Sequence, residues 1–365
     1  MKVIIAGGGT GGHLFPGLAI AEEFKRRDER NEVVFVGTEH GIEARIIPRE
    51  GYPIKFVRSE GIVGKSLLKK AKALLQLAFS VLDAHRILKV VMPDIVIGVG
   101  GYSSGAIVLM AGLRSVPTMI HEQNSVPGLT NKLLGKFVKR VCVTYHESIS
   151  SFPMGKTFLT GNPIRLRILK GDRDAACRLF SLEKEMFTVF IFGGSSGARS
   201  INRTMVDALN HLADLRDKIQ FLHQTGDKDF ENIREAYRKA GMKGTVAPFI
   251  YQMAEAYTVA DIVISRAGAT TLAEITALGK PAILIPYPYA AGRHQEFNAM
   301  KLKEMGAALM MLESEMRGET LARDIRELYE NEAARLEMQK ASRGLGRPDA
   351  CGRVVDVAVS LAKKG

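Results

Sequence analysis

His13 is the residue from which chemistry is most readily built. It is a side chain that titrates near neutral pH, and it closes the run 7–12, in which five of six residues are glycine. Ahead of that run lies a short apolar stretch, 3–6, with the character of a buried strand, and a helical pattern begins over 17–24. Strand, glycine turn and helix together let backbone N–H groups and a helix N-terminus face an anionic or polar ligand. Gly7, Gly9 and Gly12 also satisfy the G-x-G-x-x-G spacing of dinucleotide sites, with Glu39 after the next strand-like run, 33–36. The same spacing fits a turn that merely closes a strand onto a helix, so the rest of the chain has to decide.

Further stretches carry polar groups at places where ligands gather. The segment 98–105, GVGGYSSG, is a second glycine-rich turn after a strand, and 121–131, HEQNSVPGLTN, offers Glu122 and Asn124 as partners for a hydroxylated ligand, or is simply a polar loop. At 171–174, GDRD contains the D-x-D pattern of metal-dependent sugar transferases. It opens a helical stretch, however, where carboxylates cap N–H groups and complement the helix dipole, and helix capping is the expected role. Residues 193–198, GGSSGA, repeat the theme of glycines after a strand. In 265–279, SRAGATTLAEITALG, Gly268 precedes a helix whose first amides suit phosphate, and Glu274 one turn on suits a ribose diol or merely complements the dipole. Gln295 and Asn298, in GRHQEFN, are amides suited to reading hydroxyl groups.

The elements that must position these residues alternate along the whole chain. Strands are expected over 3–6, 33–36, 54–57, 95–97, 117–120 and 141–144, and again over 188–192, 219–222, 245–247, 262–264 and 282–285, with helical patterns between them. That alternation predicts α/β architecture with parallel sheets covered on both faces. Strand, glycine turn and helix recur in the second half without a close sequence repeat, which predicts two similar halves and a ligand spanning a cleft between them. Ligands collect at the carboxyl ends of such strands, where the glycine turns fall.

The totals narrow the partners. The 365 residues, 46% hydrophobic and 25% charged, suit a soluble globular protein of about two domains. A net charge of +12 points to an anionic partner, while 7% aromatic content without tryptophan disfavours the stacking platforms of single-stranded nucleic-acid binders. Three scattered cysteines give no metal spacing and fit a reducing compartment. The first apolar stretch ends at Gly7, too short for a signal peptide, so a cytoplasmic location is expected. Segment 66–91 stands out: Leu67, Leu68, Leu74, Leu75, Phe79 and Leu82 fall at helical spacing beside Lys65, Lys69, Lys70 and Lys72, and Asp83 is the sole acid among them. Either it is a core helix with a solvated basic face, or its apolar face enters a lipid headgroup layer with each lysine worth about 1 kcal/mol on anionic lipid.

Taken in order, GGGTGGH with FPG, GGYSSG, HEQN, GNPIR (161–165), GGSSGA, SRAGATT with Glu274, and HQEFN (294–298) closely resemble the MurG family of UDP-N-acetylglucosamine-dependent transferases, over nearly the whole chain. The resemblance implies a GT-B fold of two Rossmann-like domains facing each other across a deep cleft. It implies an N-terminal domain over 1–162, joined by the C-terminal helix 345–365, and a C-terminal domain over 163–344. The implied reaction moves GlcNAc from UDP-GlcNAc to the C4 hydroxyl of the MurNAc of lipid I, with inversion, giving lipid II for peptidoglycan synthesis. No metal or cofactor and no nucleic acid is implied. The implied place is the cytoplasmic face of the cell membrane, with 66–91 on anionic lipid and with contacts to other cell-wall synthesis proteins left open.

Carried onto this sequence, the family's donor site falls on Arg165, Ser195, the backbone of Ile250, Ala269, Thr270, Thr271, Leu272, Ala273, Glu274 and Gln295, expected in the C-terminal domain. Thr10, Gly11, Gly12, His13 and Asn124 are implied to face the acceptor and the reacting sugar. His13 is the implied base; binding a substrate phosphate is its other reading. His294 stands where the family often has glutamine. A different lipid-linked glycosyltransferase, a UDP-GlcNAc epimerase, an NAD-dependent oxidoreductase on Gly7, Gly9 and Gly12, and a non-enzymatic nucleotide-sugar sensor are the competing readings, and the second glycine turn, the basic apolar helix and the full motif series favour the MurG-type transferase.

Overall fold

The computed structural model describes residues 1–58, 67–194 and 196–363, and the backbone alone for 67–78. The chain divides into two compact units, Met1–Arg165 with Pro348–Gly365, and Leu166–Arg347. In the first, seven parallel strands are described: β1 (Lys2–Ala6), β2 (Glu32–Gly37), β3 (Ile54–Phe56), β4 (Ile95–Gly98), β5 (Thr118–Glu122), β6 (Arg140–Val143) and β7 (Thr157–Leu159). They lie in the order 3-2-1-4-5-6-7. The second unit has six, β8 (Phe187–Phe192), β9 (Ile219–Gln224), β10 (Gly244–Ala247), β11 (Ile262–Ser265), β12 (Ala282–Leu284) and β13 (Leu309–Met310), in the order 10-9-8-11-12-13. In both sheets the order reverses beside the first strand, between β1 and β4 and between β8 and β11. Ligands bind at such a switch point.

Side-chain alternation explains why these short apolar runs become central strands. Val3 and Ile5 point to one face of the sheet, among Leu14, Leu18, Val354 and Val355, while Ile4 and Ala6 point to the other, among Ala84, Leu88 and Ile107. A strand buried on both faces has to be apolar throughout. The same division recurs in the second unit, with Val189 and Ile191 against Ile201 and Met205, and Phe190 and Phe192 against Tyr257 and Ile275.

The last helix, Ala350–Ala362, belongs to the first unit and lies on the helix Gly11–Arg27. The Cys351 thiol donates to the Ala19 carbonyl at 2.9 Å, and Arg27 pairs with Asp356 at 2.6 Å. The helix Leu67–Val91 runs 25 residues. No helix among the described residues is long and apolar enough to cross a membrane.

Every strand expected from the sequence is present within one or two residues at its ends, and two further strands, β7 and β13, are present as well. Both are sheet-edge strands of three and two residues, too short to show a period. The first helix also differs from expectation. It begins at Gly11 and passes through Pro16, so His13 sits in its first turn and not in the loop before it. Pro16 is the sixth residue of this helix and removes one backbone donor from its ladder. At 171–174 the structure bears out capping: the Asp172 carboxylate accepts from the amides of Asp174 and Ala175 at 2.9 and 3.2 Å.

Candidate active site

In the first unit the turns after β1 and β4 meet at the switch point. Gly101, at a left-handed φ of 83°, lies so close that a Cβ there would stand 2.6 Å from the Gly8 carbonyl. Glycine is the residue that permits both the dihedral and the approach. The half-buried His13 ring packs on Gly100, where a Cβ would come within 2.7 Å of ring carbon Cδ2. Its Nδ1 lies 3.3 Å from the Gly8 carbonyl and 3.4 Å from Thr10 Oγ1. A carbonyl oxygen only accepts, so the contact to Gly8 is a hydrogen bond in the tautomer that carries the proton on Nδ1 and the lone pair on Nε2. Thr10 and Gly12 are exposed beside it and Gly11 is half-buried.

The loop after β5 is built around a buried acid. Glu122 is 1% exposed. Its oxygens accept from the Asn124 amide (2.9 Å) and side chain (3.2 Å), the Gly128 amide (3.1 Å) and Asn131 Nδ2 (2.8 Å). Glu122 therefore holds the loop rather than a ligand, and half-buried Asn124 is what it presents. Gln123 ties this loop to the second glycine turn through a 2.8 Å bond from Nε2 to the Val99 carbonyl. His121 behind it is fully buried, which pushes its pKa down to about 4 even though it bonds the Gly161 carbonyl.

In the second unit, Gln224 at the end of β9 bridges two loops. Its Nε2 donates to the Gly194 carbonyl at 2.9 Å, and its Oε1 accepts from the Ile250 amide at 2.8 Å. Across the switch point the helix Ala269–Leu278 starts at Gly268, which has no side chain to cover the first-turn amides. Thr270 is 8% exposed, while Thr271, Ala273 and Glu274 are half-buried and Leu272 is in the core. The Tyr257 hydroxyl, wholly buried, donates to Glu274 Oε2 at 2.8 Å and so fixes the carboxylate. Burial, then the Glu274 charge, pushes the Tyr257 hydroxyl well above the usual tyrosine range. Gln295 turns its Oε1 onto the Tyr287 amide at 3.0 Å, and His294 Nδ1 lies 2.7 Å from the Ala291 carbonyl.

Thr10, Gly11, Gly12, His13 and Asn124 thus belong to the first unit, and Ile250, Ala269 to Glu274 and Gln295 to the second. Ser195 lies outside the described residues. Arg165, expected beside the donor-side residues, closes the first unit instead. Its side chain is 6% exposed and forks onto Glu22 and onto Glu50 (2.8 and 2.5 Å), which answer a buried guanidinium with two carboxylates. Sequence reading missed Gln224 and Tyr257 as organisers. Asp83, the lone acid of the basic segment, is paired with Arg58 at 2.7 Å.

Residues 3–143 match the glycosyltransferase family 28 N-terminal domain, and residues 188–354 match the C-terminal domain of that family. Two curated relatives carry the name UDP-N-acetylglucosamine--N-acetylmuramyl-(pentapeptide) pyrophosphoryl-undecaprenol N-acetylglucosamine transferase. The one from Thermodesulfovibrio yellowstonii is 49% identical, covering 100% of both chains, and the one from Myxococcus xanthus is 49% identical, covering 99% of this chain and 93% of that one. Among solved structures, Acinetobacter baumannii MurG superposes with a TM-score of 0.75 at 31% identity, over 98% of each chain. The UDP-GlcNAc 2-epimerase of Neisseria meningitidis reaches a TM-score of 0.69 at 13% identity, over 99% of this chain and 100% of that one, a likeness of fold alone. With two Rossmann-like units and a full-length match to these relatives, the chain belongs to glycosyltransferase family 28 and, within it, to the MurG family.

Proposed function

We propose that the protein transfers GlcNAc from UDP-GlcNAc to the C4 hydroxyl of the MurNAc in undecaprenyl-pyrophosphoryl-MurNAc-pentapeptide, turning lipid I into lipid II. The observation that carries this reading is the 49% identity, over the full length of both chains, to a relative named for that transfer. In this reading His13 Nε2 takes the proton of the C4 hydroxyl as its oxygen bonds to the anomeric carbon. The bond from that carbon to the β-phosphate oxygen breaks on the opposite face, UDP leaves with the electron pair, and an α linkage becomes β-1,4. General-base assistance of this kind contributes roughly 10²–10⁴-fold. Thr10, Gly11, Gly12 and Asn124 surround the reacting hydroxyl.

The donor binds the second unit. The first-turn amides at 269–271 and the 193–198 turn with Ser195 take the pyrophosphate, where aligned N–H groups stabilise the charge that the leaving group gathers. Glu274, oriented by Tyr257, takes the ribose diol, with Leu272 and Ala273 placing it. The Ile250 N–H is bonded to Gln224, so its carbonyl meets the uracil. Gln295 reads the sugar hydroxyls.

The acceptor is a lipid, and the protein works as a peripheral protein on the cytoplasmic face of the membrane, supplying wall precursor for cell shape and division. The helix Leu67–Val91 supports this reading: Phe79 is 45% and Leu82 52% exposed, Arg86 and Lys89 are exposed, and Asp83 is neutralised by Arg58. Binding to anionic vesicles that weakens with salt, and little binding to neutral ones, is expected; equal, salt-insensitive binding to both would overturn the electrostatic part.

Turnover of radiolabelled UDP-GlcNAc with a soluble-tailed lipid I analogue tests the transfer. Wild type should form the disaccharide product, and His13→Ala should lose about a hundredfold or more in kcat. An epimerised sugar or free UDP without transfer would overturn the transferase reading, and an unchanged kcat in His13→Ala would remove the base.

A further inference from the structure

Glu43 is a buried acid with no part in the chemistry above. It is the first residue of the helix Glu43–Arg49 and is 1% exposed. Acids that complement a helix dipole ordinarily stay in water. This one reaches back across the unit: its oxygens accept from the Gly9 amide at 2.8 Å and from the amide and hydroxyl of Thr38, both at 2.9 Å. Glycines line its chamber. A Cβ on Gly8, Gly37 or Gly41 would come within 2.3, 2.4 or 2.1 Å of Glu43 atoms. Three glycines in two segments have thus given up side chains to admit one carboxylate beside the 7–12 turn.

The bond to Gly9 grips one particular peptide. The Gly9 N–H and the Gly8 carbonyl belong to the same planar trans unit and point in opposite directions. Glu43 holds the N–H side, and the carbonyl side meets His13 Nδ1 at 3.3 Å. With glycine on both sides, this peptide has little intrinsic preference against flipping. We infer that Glu43 is a positioning residue for the transfer: by fixing the Gly8–Gly9 peptide it aims the Gly8 carbonyl at His13 and keeps the ring proton on Nδ1, so that Nε2 faces the reaction with its lone pair. The inference rests on His13 acting as the base.

Two readouts test it on the whole protein. In wild type, ring ¹⁵N shifts of neutral His13, assigned by difference from His13→Ala, should report the Nδ1–H tautomer. Glu43→Gln presents an NH2 group to a site that faces three donors, so the shifts should move to a mixture of tautomers. In the same variant kcat should fall about tenfold or more with KM for UDP-GlcNAc nearly unchanged, since a misplaced reacting group costs rate rather than donor binding. Adding Glu43→Gln to His13→Ala should cost nothing further. Thr38→Val, which removes one of the three donors and keeps the carboxylate, should give a smaller shift in the same direction and serves if Glu43→Gln does not fold. Unchanged ring shifts in either folded variant, or an equal loss of kcat with and without His13, would overturn the role of Glu43. A wild-type kcat in His13→Ala would instead sink the base, while the shifts still report whether Glu43 sets the tautomer.

Discussion

The glycine turns after β1 and after β8 stand at the same place in two sheets of like order, but different kinds of side chain hold the loops around them. In the first unit a carboxylate sits under each of two loops, Glu43 under the 7–12 turn and Glu122 under the loop that carries Asn124, with the Gln123 amide tying that loop to Val99. In the second, amides join the loops: Gln224 ties the 193–198 turn to Ile250, and Asn202 Nδ2 holds the Thr225 carbonyl at 2.9 Å while also donating to Asp229 at 3.0 Å. The charge of the proposed ligand accounts for the difference. A base that becomes an imidazolium gains from nearby negative charge, whereas a carboxylate beside a pyrophosphate would repel it. One unit charge at about 6 Å in an effective dielectric of about 20 costs nearly 3 kcal/mol. Amides supply donors and acceptors without that cost. The architecture is shared, and the local electrostatics are specialised.

The shared part breaks first in acid. Each unit buries a neutral histidine in a strand, His121 in β5 with its pKa lowered to about 4 and His223 in β9 lowered to about 3, both by burial. Below about pH 6.5 the unfolded chain binds protons that the native histidines refuse, so stability rises with pH and is lost on acidification. The window runs from about 6.5 down to about 4 for His121 and to about 3 for His223. Over its full window this amounts to roughly 3 kcal/mol for His121 and roughly 5 kcal/mol for His223. Urea unfolding at pH 7 and pH 4.5 should show the loss, and His121→Gln or His223→Gln should flatten the slope. An unaltered slope in both variants would mean that other groups carry the acid sensitivity.

The electrostatic contrast is tested by exchanging the two kinds of organiser. Gln224→Glu places a charge beside the proposed pyrophosphate and loses the donor to Gly194. UDP binding measured by calorimetry should weaken about a hundredfold, and an unchanged affinity would remove the charge argument. Glu122→Gln should act through geometry instead. It replaces an acceptor facing several donors, so stability should fall by about 2 kcal/mol and KM for the lipid I analogue should rise, with UDP affinity unchanged.

The sequence made the frame legible and left the organisers hidden, for a physical reason. Strands such as 3–6 and 188–192 announce themselves because central parallel strands are apolar on both faces, and the glycine clusters mark the turns that follow them. Edge strands Thr157–Leu159 and Leu309–Met310 have no such signature. His13 and Glu274 stand out in the sequence as candidates by type and place. Glu43, Gln224 and Tyr257 do not, because each acts on a residue 17 to 34 positions away, a separation that no helical or strand period encodes. A weak signal for Glu43 did exist: an acid shortly preceded by Gly37 and Gly41. Arg165 shows the converse, a motif residue whose charge the fold answers with its own Glu22 and Glu50.

The smallest expected effect probes how the second unit orients the Glu274 carboxylate among its amides. Tyr257→Phe deletes a single hydroxyl that donates to Glu274 Oε2 and leaves the buried ring, with its edge contacts to Phe190 and Phe192, in place. Stability should change little, because the lost hydrogen bond is partly offset by no longer burying a polar group. The ribose contact should suffer more, since a carboxylate released from its partner must be reordered each time the donor binds. A loss of about 1 kcal/mol corresponds to roughly a fivefold rise in KM for UDP-GlcNAc. A donor lacking the ribose 2′ and 3′ hydroxyls discriminates the cause. If Glu274 grips the diol, wild type and Tyr257→Phe should bind the dideoxy nucleotide equally weakly, whereas a fivefold difference that persists with that nucleotide would mean Tyr257 supports the helix Ala269–Leu278 as a whole and not the carboxylate.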